Sequence, residues 1–202
     1  MEKNINRNHG LIFVLSGPSG SGKTTLLGNI IRSAELKNKF ARSISITTRP
    51  KRSGEKNGKD YFFLTQAEFG RKLKAKKILE WTKYLGYYYA TPKDFVDRQL
   101  RKKRHIILCL DLKGAVRIKK LYPENSVTIF ILPPSLEALR KRIEGRCNMT
   151  KKEEVRQRLK LARKELLASR KYDHCLVNKS LQKAVKELKR IILKETASNT
   201  AR

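Results

Sequence analysis

One glycine-rich stretch constrains this chain more than any other. The apolar run Leu11-Ile-Phe-Val-Leu-Ser16 leads into Gly17-Pro-Ser-Gly-Ser-Gly-Lys-Thr24, and a helix-forming segment follows. This spacing is typical of a phosphate-binding loop, in which backbone N–H groups and the N-terminus of the next helix converge on phosphate oxygens. The motif requires a buried strand before it and a helix after it, and both are present. The stretch therefore predicts a nucleoside triphosphate site.

The residues of this loop are expected to bind the phosphates and the metal ion. Those expected to bind the nucleoside triphosphate, which the family resemblance given below implies is ATP, are Gly17, Pro18, Ser19, Gly20, Ser21, Gly22, Lys23 and Thr24. Lys23 is expected to reach the β- and γ-phosphates, and the hydroxyl of Thr24 is expected to hold Mg²⁺. A second metal contact, direct or through water, is predicted at Asp111. An apolar strand that ends in an aspartate is typical of such sites.

The composition is that of a globular chain with one domain. Of 202 residues, 39% are hydrophobic and 33% are charged. No apolar run approaches the roughly 20 residues needed to span a bilayer, and the N-terminal stretch lacks the apolar segment of a signal peptide. Cys109, Cys147 and Cys175 are odd in number and lack metal-site spacing, so free thiols are expected. We expect a cytoplasmic protein without membrane contact.

The formal net charge of +30 is the unusual bulk property. Surfaces rich in lysine and arginine can bind nucleic acid by releasing counterions from its backbone. In this chain the basic residues are spread over the whole length, and no recognition motif accompanies them. We therefore expect no specific nucleic-acid partner, although the positive field attracts anionic nucleotides.

Strand and helix signals alternate along the chain. Strands are predicted over 11–16, 43–47, 61–64, 79–84, 87–90, 105–110, 126–132 and 174–177. Helices are predicted after most of these strands, the last of them over 181–193, with capping boxes at Thr65-Gln-Ala-Glu68 and Thr150-Lys-Lys-Glu153. A polar loop is predicted over 48–60, and the strands 79–84 and 87–90 are predicted to form a hairpin. Thr91-Pro92 predicts another helix start, with proline at the first helical position. The alternation predicts an α/β fold whose parallel sheet is covered on both faces.

A second ligand is predicted between residues 43 and 91. This stretch holds arginines and tyrosines that suit a phosphate monoester, together with the carboxylate of Glu80. Guanine presents adjacent N1–H and N2–H₂ donors that one carboxylate accepts together, whereas adenine presents an acceptor at N1. Glu80, with Ser45 and Thr91, is therefore predicted to select guanine over adenine.

Successive motifs of the chain resemble those of the guanylate kinase family. Besides the phosphate-binding loop they are Ser45-Ile-Thr-Thr-Arg-Pro-Lys-Arg52, Gly54-Glu with Gly58-Lys-Asp-Tyr61-Phe-Phe, Leu79-Glu-Trp81, Tyr88-Tyr-Ala-Thr-Pro92, Ile131-Leu-Pro-Pro-Ser135 and Glu144-Gly-Arg146. They occur in the family's order from about residue 11 to residue 192, which is nearly the whole chain. Such an ordered series is far more specific than the phosphate-binding loop alone.

The resemblance implies a three-layer P-loop NTPase fold with a central, mainly parallel sheet, a GMP-binding insertion and a helical lid. In one guanylate kinase-like domain, the core comprises 10–42, 96–134 and 171–195, the GMP-binding part 43–95, and the lid 135–170. The implied reaction transfers the γ-phosphoryl group of ATP to GMP, forming ADP and GDP, with Mg²⁺ as the cofactor. The protein is expected to be a monomer or a homodimer.

The resemblance also assigns site residues. Those expected to bind GMP are Ser45, Arg49, Arg52, Tyr61, Glu80, Tyr89, Thr91 and Asp111. Those expected to be catalytic are Lys23, Arg49, Arg142, Arg146 and Arg158. The attacking phosphate oxygen of GMP is largely deprotonated near neutral pH, since its second pKa is about 6. Catalysis then requires alignment and charge neutralisation rather than a general base.

Some positions depart from the family pattern. A usual acidic residue is replaced by Cys109, a glycine before Thr91 by Ala90, a glycine after Arg146 by Cys147, and two aspartates by Lys179-Ser180. The lid is one residue longer before Arg158, so Arg156 is the other candidate for that position. These changes are expected to weaken GMP affinity or alter lid closure, and none removes the phosphate-binding loop.

Two other interpretations stay open at this point. The first is a non-catalytic guanylate-kinase-like module that binds proteins. Such modules typically degrade the phosphate-binding loop and the lid arginines, whereas Lys23, Arg142 and Arg146 are intact here. The second is a kinase of the same fold with another phosphorylated acceptor, such as a sugar phosphate. Glu80 and Ser45 favour guanine over that acceptor.

Overall fold

The structure, a computed structural model, describes residues 9–36, 38–145 and 152–200. Strands and helices alternate along these residues. In chain order they are β1 (Ile12–Ser16), α1 (Lys23–Arg32), β2 (Phe40–Arg42), β3 (Ile46–Thr47), β4 (Phe62–Phe63), α2 (Gln66–Lys74), β5 (Ile78–Tyr84), β6 (Tyr87–Pro92), α3 (Lys93–Arg101), β7 (His105–Cys109), α4 (Leu112–Leu121), β8 (Ser126–Leu132), α5 (Leu136–Glu144), α6 (Lys152–Leu167), β9 (His174–Val177) and α7 (Leu181–Thr200).

The central sheet is parallel and has five strands in the order β2-β7-β1-β8-β9. Strand β1 lies in the middle and is buried on both faces, as its uninterrupted apolar sequence predicts. Phe13 and Leu15 pack with residues of α1 and α7, whereas Ile12 and Val14 pack with residues of α3 and α4. Each such side chain contributes about 1.5–3 kcal/mol on burial. The predicted α/β architecture, with helices on both faces of a parallel sheet, is confirmed.

A second sheet of four strands, in the order β4-β3-β6-β5, carries Glu80, Tyr89 and Thr91. On one face Ile46 and Ala90 pack against Phe69 of α2. Side chains alternate across a strand, so Glu80, Thr82 and Tyr84 of β5 share the opposite face, and all three line the main cavity of the described chain. The insertion therefore offers one packed face and one face for a ligand.

The helix start predicted at Thr65 is confirmed in detail. The hydroxyl of Thr65 accepts a hydrogen bond from the N–H of Glu68 at 3.2 Å, and Oε2 of Glu68 accepts one from the N–H of Thr65 at 2.7 Å. Ser135 likewise caps α5 by accepting from the N–H of Ala138. The capping box predicted at Thr150-Lys-Lys-Glu153 begins outside the described residues.

Three predictions on the elements are corrected. Strand β2 was not predicted, because three residues are too few to show a period, and the strand predicted over 43–47 is reduced to Ile46–Thr47. Thr91 does not cap α3: it lies in β6, and Pro92 is the N-cap with Lys93 as the first helical residue. Helix α7 continues to Thr200, beyond the end predicted near residue 193. Among the residues that the structure describes, no helix combines the length and apolar character needed to cross a membrane.

Candidate active site

The phosphate-binding loop connects β1 to α1 in a conformation that needs its glycines. Gly17, Gly20 and Gly22 have φ values of 134°, 91° and 97°, in a region that side-chain-bearing residues rarely adopt. Gly22 is also the N-cap of α1, and no side chain caps that helix, so its first N–H groups are available to an anion. The Nζ of Lys23 lies over the loop and donates to the carbonyls of Gly17 at 2.6 Å and Pro18 at 3.0 Å.

A residue just after the last strand and a residue of α5 support this loop. The side-chain amide of Asn178, just after β9, donates to the carbonyl of Ser21 at 2.8 Å. A Cβ on Gly22 would collide with that amide. Arg142 of α5 donates to the carbonyl of Asn178 at 3.0 Å. Asn178 therefore links Arg142 of α5 to the loop.

The structure distinguishes the two candidate arginines of α6. Arg158 is only 9% exposed, and its Nη1 donates to the hydroxyl of Ser19 in the loop at 2.9 Å. Its Nε donates to the carboxylate of Glu154. The side chain of Arg156 is 83% exposed and pairs with Glu153. Arg158 is thus the one directed at the phosphate-binding loop. Arg146 and Cys147 lie outside the described residues.

The acceptor side of the cavity contains a cluster of cationic and phenolic groups. Arg49 is 9% exposed. Its guanidinium donates hydrogen bonds to the carboxylate of Glu55 at 2.8 Å and to the carbonyl of Pro50 at 2.6 Å, and these bonds fix its orientation. It also lies over the ring of Tyr61, at 5.6 Å from the centroid. Burial raises the pKa of Tyr61, so its hydroxyl stays a donor. The ring of Tyr89 contacts that of Tyr61 edge-on.

Glu80 lies deepest on the acceptor side. Its side chain is 5% exposed, and its Oε1 accepts a hydrogen bond from the hydroxyl of Thr91 at 2.6 Å. Burial raises the pKa of Glu80 to about 7, with a smaller contribution from Asp111, although the hydrogen bond from Thr91 opposes the shift. Ser45 lines the same cavity. The cavity is therefore lined here by one buried carboxylate and the hydroxyl-bearing Ser45, while Thr91 holds the carboxylate in place.

Asp111 follows β7 at the carboxyl edge of the central sheet. Its Oδ2 accepts from the hydroxyl of Thr82 at 2.8 Å, and its Oδ1 accepts from the N–H of Gly114 at 2.8 Å, which also caps α4. The hydroxyl of Thr24 lines the same cavity. An oxygen-only pair of this kind suits Mg²⁺, which keeps several waters and takes its other ligands from substrate phosphates. Within the described ranges, no group of three or more His, Cys, Asp or Glu residues could hold a metal alone.

One cavity of about 670 Å³ brings the two sides together. The predicted site residues that line it are Gly17, Ser19, Gly20, Gly22, Lys23, Thr24, Ser45, Arg49, Arg52, Tyr61, Glu80, Tyr89, Asp111, Arg142 and Arg158. Three of the predicted residues that the structure describes are not in its lining. Ser21 and Thr91 are buried, the latter behind Glu80, and Pro18 lies in the loop with its carbonyl turned to Lys23.

The cavity also contains residues that sequence reasoning missed. Thr82 and Tyr84 were detectable, because the period of a strand places them on the same face as Glu80. Glu165 follows Arg158 by two helical turns and so shares its face. Burial raises the pKa of Glu165, although Lys23 opposes the shift. Burial likewise raises the pKa of the half-buried Cys109 to about 11, so the thiol is neutral.

The comparisons with known proteins agree with this geometry. A family model described as guanylate kinase matches residues 10–195. The guanylate kinase of Wolbachia pipientis wMel is 40% identical over 189 residues, covering 94% of this chain and 92% of that protein. The guanylate kinase of Bacillus subtilis strain 168 is 39% identical, covering 94% and 91%. The crystal structure of guanylate kinase from Anaplasma phagocytophilum is similar with a TM-score of 0.75 at 32% identity, covering 93% and 87%.

Proposed function

Because this chain belongs to the guanylate kinase family, we propose that it transfers the γ-phosphoryl group of ATP to GMP, forming ADP and GDP. The observation that carries the proposal is the shared cavity. It is lined by a phosphate-binding loop on one side and, on the other, by the buried carboxylate of Glu80 and the nearly buried guanidinium of Arg49. Two anionic nucleotides, one of them a guanine nucleotide, fit this distribution of charge.

ATP is proposed to bind the loop between β1 and α1. Uncapped N–H groups at the start of α1 would bind phosphate oxygens, and Lys23 would exchange its bonds to the loop carbonyls for the β- and γ-phosphates. Mg²⁺, held through Thr24 and Asp111 with the remaining ligands from phosphate and water, would neutralise charge on the two phosphates.

GMP is proposed to bind against β5 and β6. Glu80 would accept the adjacent N1–H and N2–H₂ groups of guanine, with Ser45 and Thr91 beside it. Adenine would place an acceptor against this carboxylate and leave it unpaired, which costs affinity. The phosphate of GMP would bind a set of two arginines and two tyrosines, namely Arg49, Arg52, Tyr61 and Tyr89.

The transfer itself is proposed to depend on alignment and neutralisation. The nucleophile is a phosphate oxygen of GMP that is already largely deprotonated near neutral pH, so no side chain needs to remove a proton. Lys23 together with the lid arginines Arg142 and Arg158 would spread the charge of the transferring phosphoryl group. Arg146, outside the described residues, is proposed for the same task.

We propose the functional division implied by the family for the parts of this chain. The core comprises 10–42, 96–134 and 171–195, the GMP-binding part 43–95 and the lid 135–170. Closure of the lid and the GMP-binding part on the core would exclude water and prevent hydrolysis of ATP. The contacts of Arg158 with Ser19 and of Thr82 with Asp111 support this, since each joins a closing part to the core. A cytoplasmic location and a monomer or homodimer are proposed with it.

An acceptor screen tests the function. ADP release from Mg²⁺-ATP is measured with a coupled assay in the presence of GMP, dGMP, AMP, CMP, UMP, a sugar phosphate or no acceptor. Release that depends on GMP and is much weaker with AMP supports the proposal. Release with the sugar phosphate alone would assign another acceptor, and a folded protein without any release would indicate a non-catalytic binding module.

A further inference from the structure

We propose that Thr82 is a positioning residue: its hydroxyl orients the Asp111 carboxylate and thereby joins the acceptor-binding sheet to the ATP side of the cavity. The inference rests on the proposed transfer from ATP to GMP. Thr82 lies on β5 two residues after Glu80, so both side chains face the cavity. One strand therefore contacts the proposed guanine site and the proposed metal site.

The two oxygens of Asp111 are held from two different parts of the molecule. The N–H of Gly114, in the first turn of α4, donates to Oδ1 at 2.8 Å, and the hydroxyl of Thr82 donates to Oδ2 at 2.8 Å. With the bond from Gly114 alone, the carboxylate could rotate about its terminal torsion, which is broad. The second bond removes that freedom. It comes from a β-branched side chain whose own rotamer is restricted.

The surroundings of Asp111 explain why it needs this support. Glu80 and Glu165 both face the same cavity, and the charge of Asp111 contributes to the raised pKa of each. Like charges repel, so a carboxylate in this position tends to turn away from its neighbours. Two donors offset the repulsion. A carboxylate oxygen that accepts one hydrogen bond keeps a further lone-pair site, so Asp111 can still contact a metal-bound water.

The contact between Thr82 and Asp111 also couples the two proposed substrate sites. A Cβ on Gly114 would lie 2.8 Å from Oε2 of Glu80, so the turn that holds Asp111 packs directly against the residue proposed to bind guanine. A shift of β5 when GMP binds would therefore move Thr82 and the first turn of α4 together. Because Thr82 and Gly114 hold the two oxygens of Asp111, the orientation of its carboxylate would change with them.

The test compares Thr82→Val, which removes the donor at nearly constant volume, with Thr82→Ser, which keeps it. The matched control is Lys83→Gln on the other face of β5, where the lysine lies over Tyr88. One readout is the Mg²⁺ concentration that half-saturates turnover. The other needs no turnover: it is the gain in ADP affinity that Mg²⁺ produces, measured by calorimetry. Thermal unfolding checks each fold, and Thr82→Ala replaces the valine variant if that variant does not fold.

In Thr82→Val we expect the half-saturating Mg²⁺ concentration to rise, and the Mg²⁺-dependent gain in ADP affinity to fall, by about tenfold, the size of one hydrogen bond to a charged group. Thr82→Ser and Lys83→Gln should stay within about twofold of the unsubstituted protein. Equal values for the valine and serine variants, whether both normal or both reduced, would overturn the proposal. If the unsubstituted protein has no GMP-dependent turnover, the proposed function fails, while the calorimetric comparison still decides the role of Thr82.

Discussion

The carboxylate of Glu80 and the hydroxyl of Thr91 lie 2.6 Å apart, on neighbouring positions of β5 and β6. Burial raises the pKa of this carboxyl to about 7, and the proposed contact with guanine needs the carboxyl ionised. We therefore predict that GMP affinity falls as the pH falls, by about tenfold between pH 8 and pH 6 for one such proton. Calorimetric titration of the protein with GMP across this range measures the effect.

The matched variant is Glu80→Gln. It should bind GMP weakly and keep only the pH dependence of the ligand phosphate, whose pKa is about 6. An equally steep pH profile of GMP affinity in Glu80→Gln would contradict the assignment of Glu80 to guanine binding.

The carboxyl of Glu80 also affects the pH dependence of stability. Since the pKa of this carboxyl is higher in the folded protein than the ordinary glutamate value of 4.5, the free energy of unfolding should fall as the pH rises from about 4.5 to about 7.

Gly114→Ala tests the close contact between α4 and Glu80. The added Cβ would lie 2.8 Å from Oε2 of Glu80 and 3.1 Å from Cβ of Leu110. Because the nearest atom is the end of a flexible side chain, the carboxylate should move while the fold survives. We predict that GMP affinity falls by at least about tenfold and that ADP affinity measured without Mg²⁺ is unchanged.

The control is Gly70→Ala in α2, where an added Cβ meets nothing within 4 Å. This variant should keep its GMP affinity and gain about 0.5–1 kcal/mol in stability, since alanine is the better helix residue. Normal GMP binding in Gly114→Ala would show that Glu80 does not need its present position.

Arg158→Ala tests the lid contact with the phosphate-binding loop. Arg158 donates to Ser19 from a nearly buried position, whereas Arg156 of the same helix is exposed. We predict that kcat falls by about 100-fold or more in Arg158→Ala, since an arginine that neutralises a transferring phosphoryl group has effects of this size or larger. Arg156→Ala should stay within about twofold. Steady-state kinetics with saturating ATP and GMP measure kcat for both variants. A large fall in Arg156→Ala with little change in Arg158→Ala would assign the role to Arg156 instead.

Lys23→Ala should nearly abolish turnover while the fold survives. The ammonium group bonds to two carbonyls of its own loop, so its loss leaves the packed core intact but removes a charge from the proposed phosphate site. Thermal unfolding and kcat are compared with those of Lys183→Ala, an exposed position on α7. A Lys23→Ala protein that retains most of its activity would reject the role of Lys23 in charge neutralisation.

The fold could be predicted largely because its signals are local. The apolar run of β1, the glycines of the loop and the capping box at Thr65 each specify their element within a few residues. Strand β2 could not be predicted this way. Its three residues, Phe40–Arg42, are ordered by pairing with β7, and that contact spans more than 60 positions of the sequence.

The site was predictable where residue type and motif coincide and not where tertiary contacts decide. The residues around Glu80 were expected from their chemistry, but the position of Thr91 in a strand rather than at a helix start depends on pairing between β5 and β6. The choice between Arg156 and Arg158 depends on which face of α6 packs on the core. Thr82 carries no motif, and its role follows only from its distance to Asp111.

The most direct measurement follows the fate of the γ-phosphate. ATP labelled in that group is incubated with the protein, Mg²⁺ and GMP, and the labelled products are separated, with AMP in place of GMP as the parallel reaction. We predict that the label appears in GDP, that little appears in inorganic phosphate, and that the AMP reaction is far slower. Label released as inorganic phosphate at the same rate with and without GMP would contradict it.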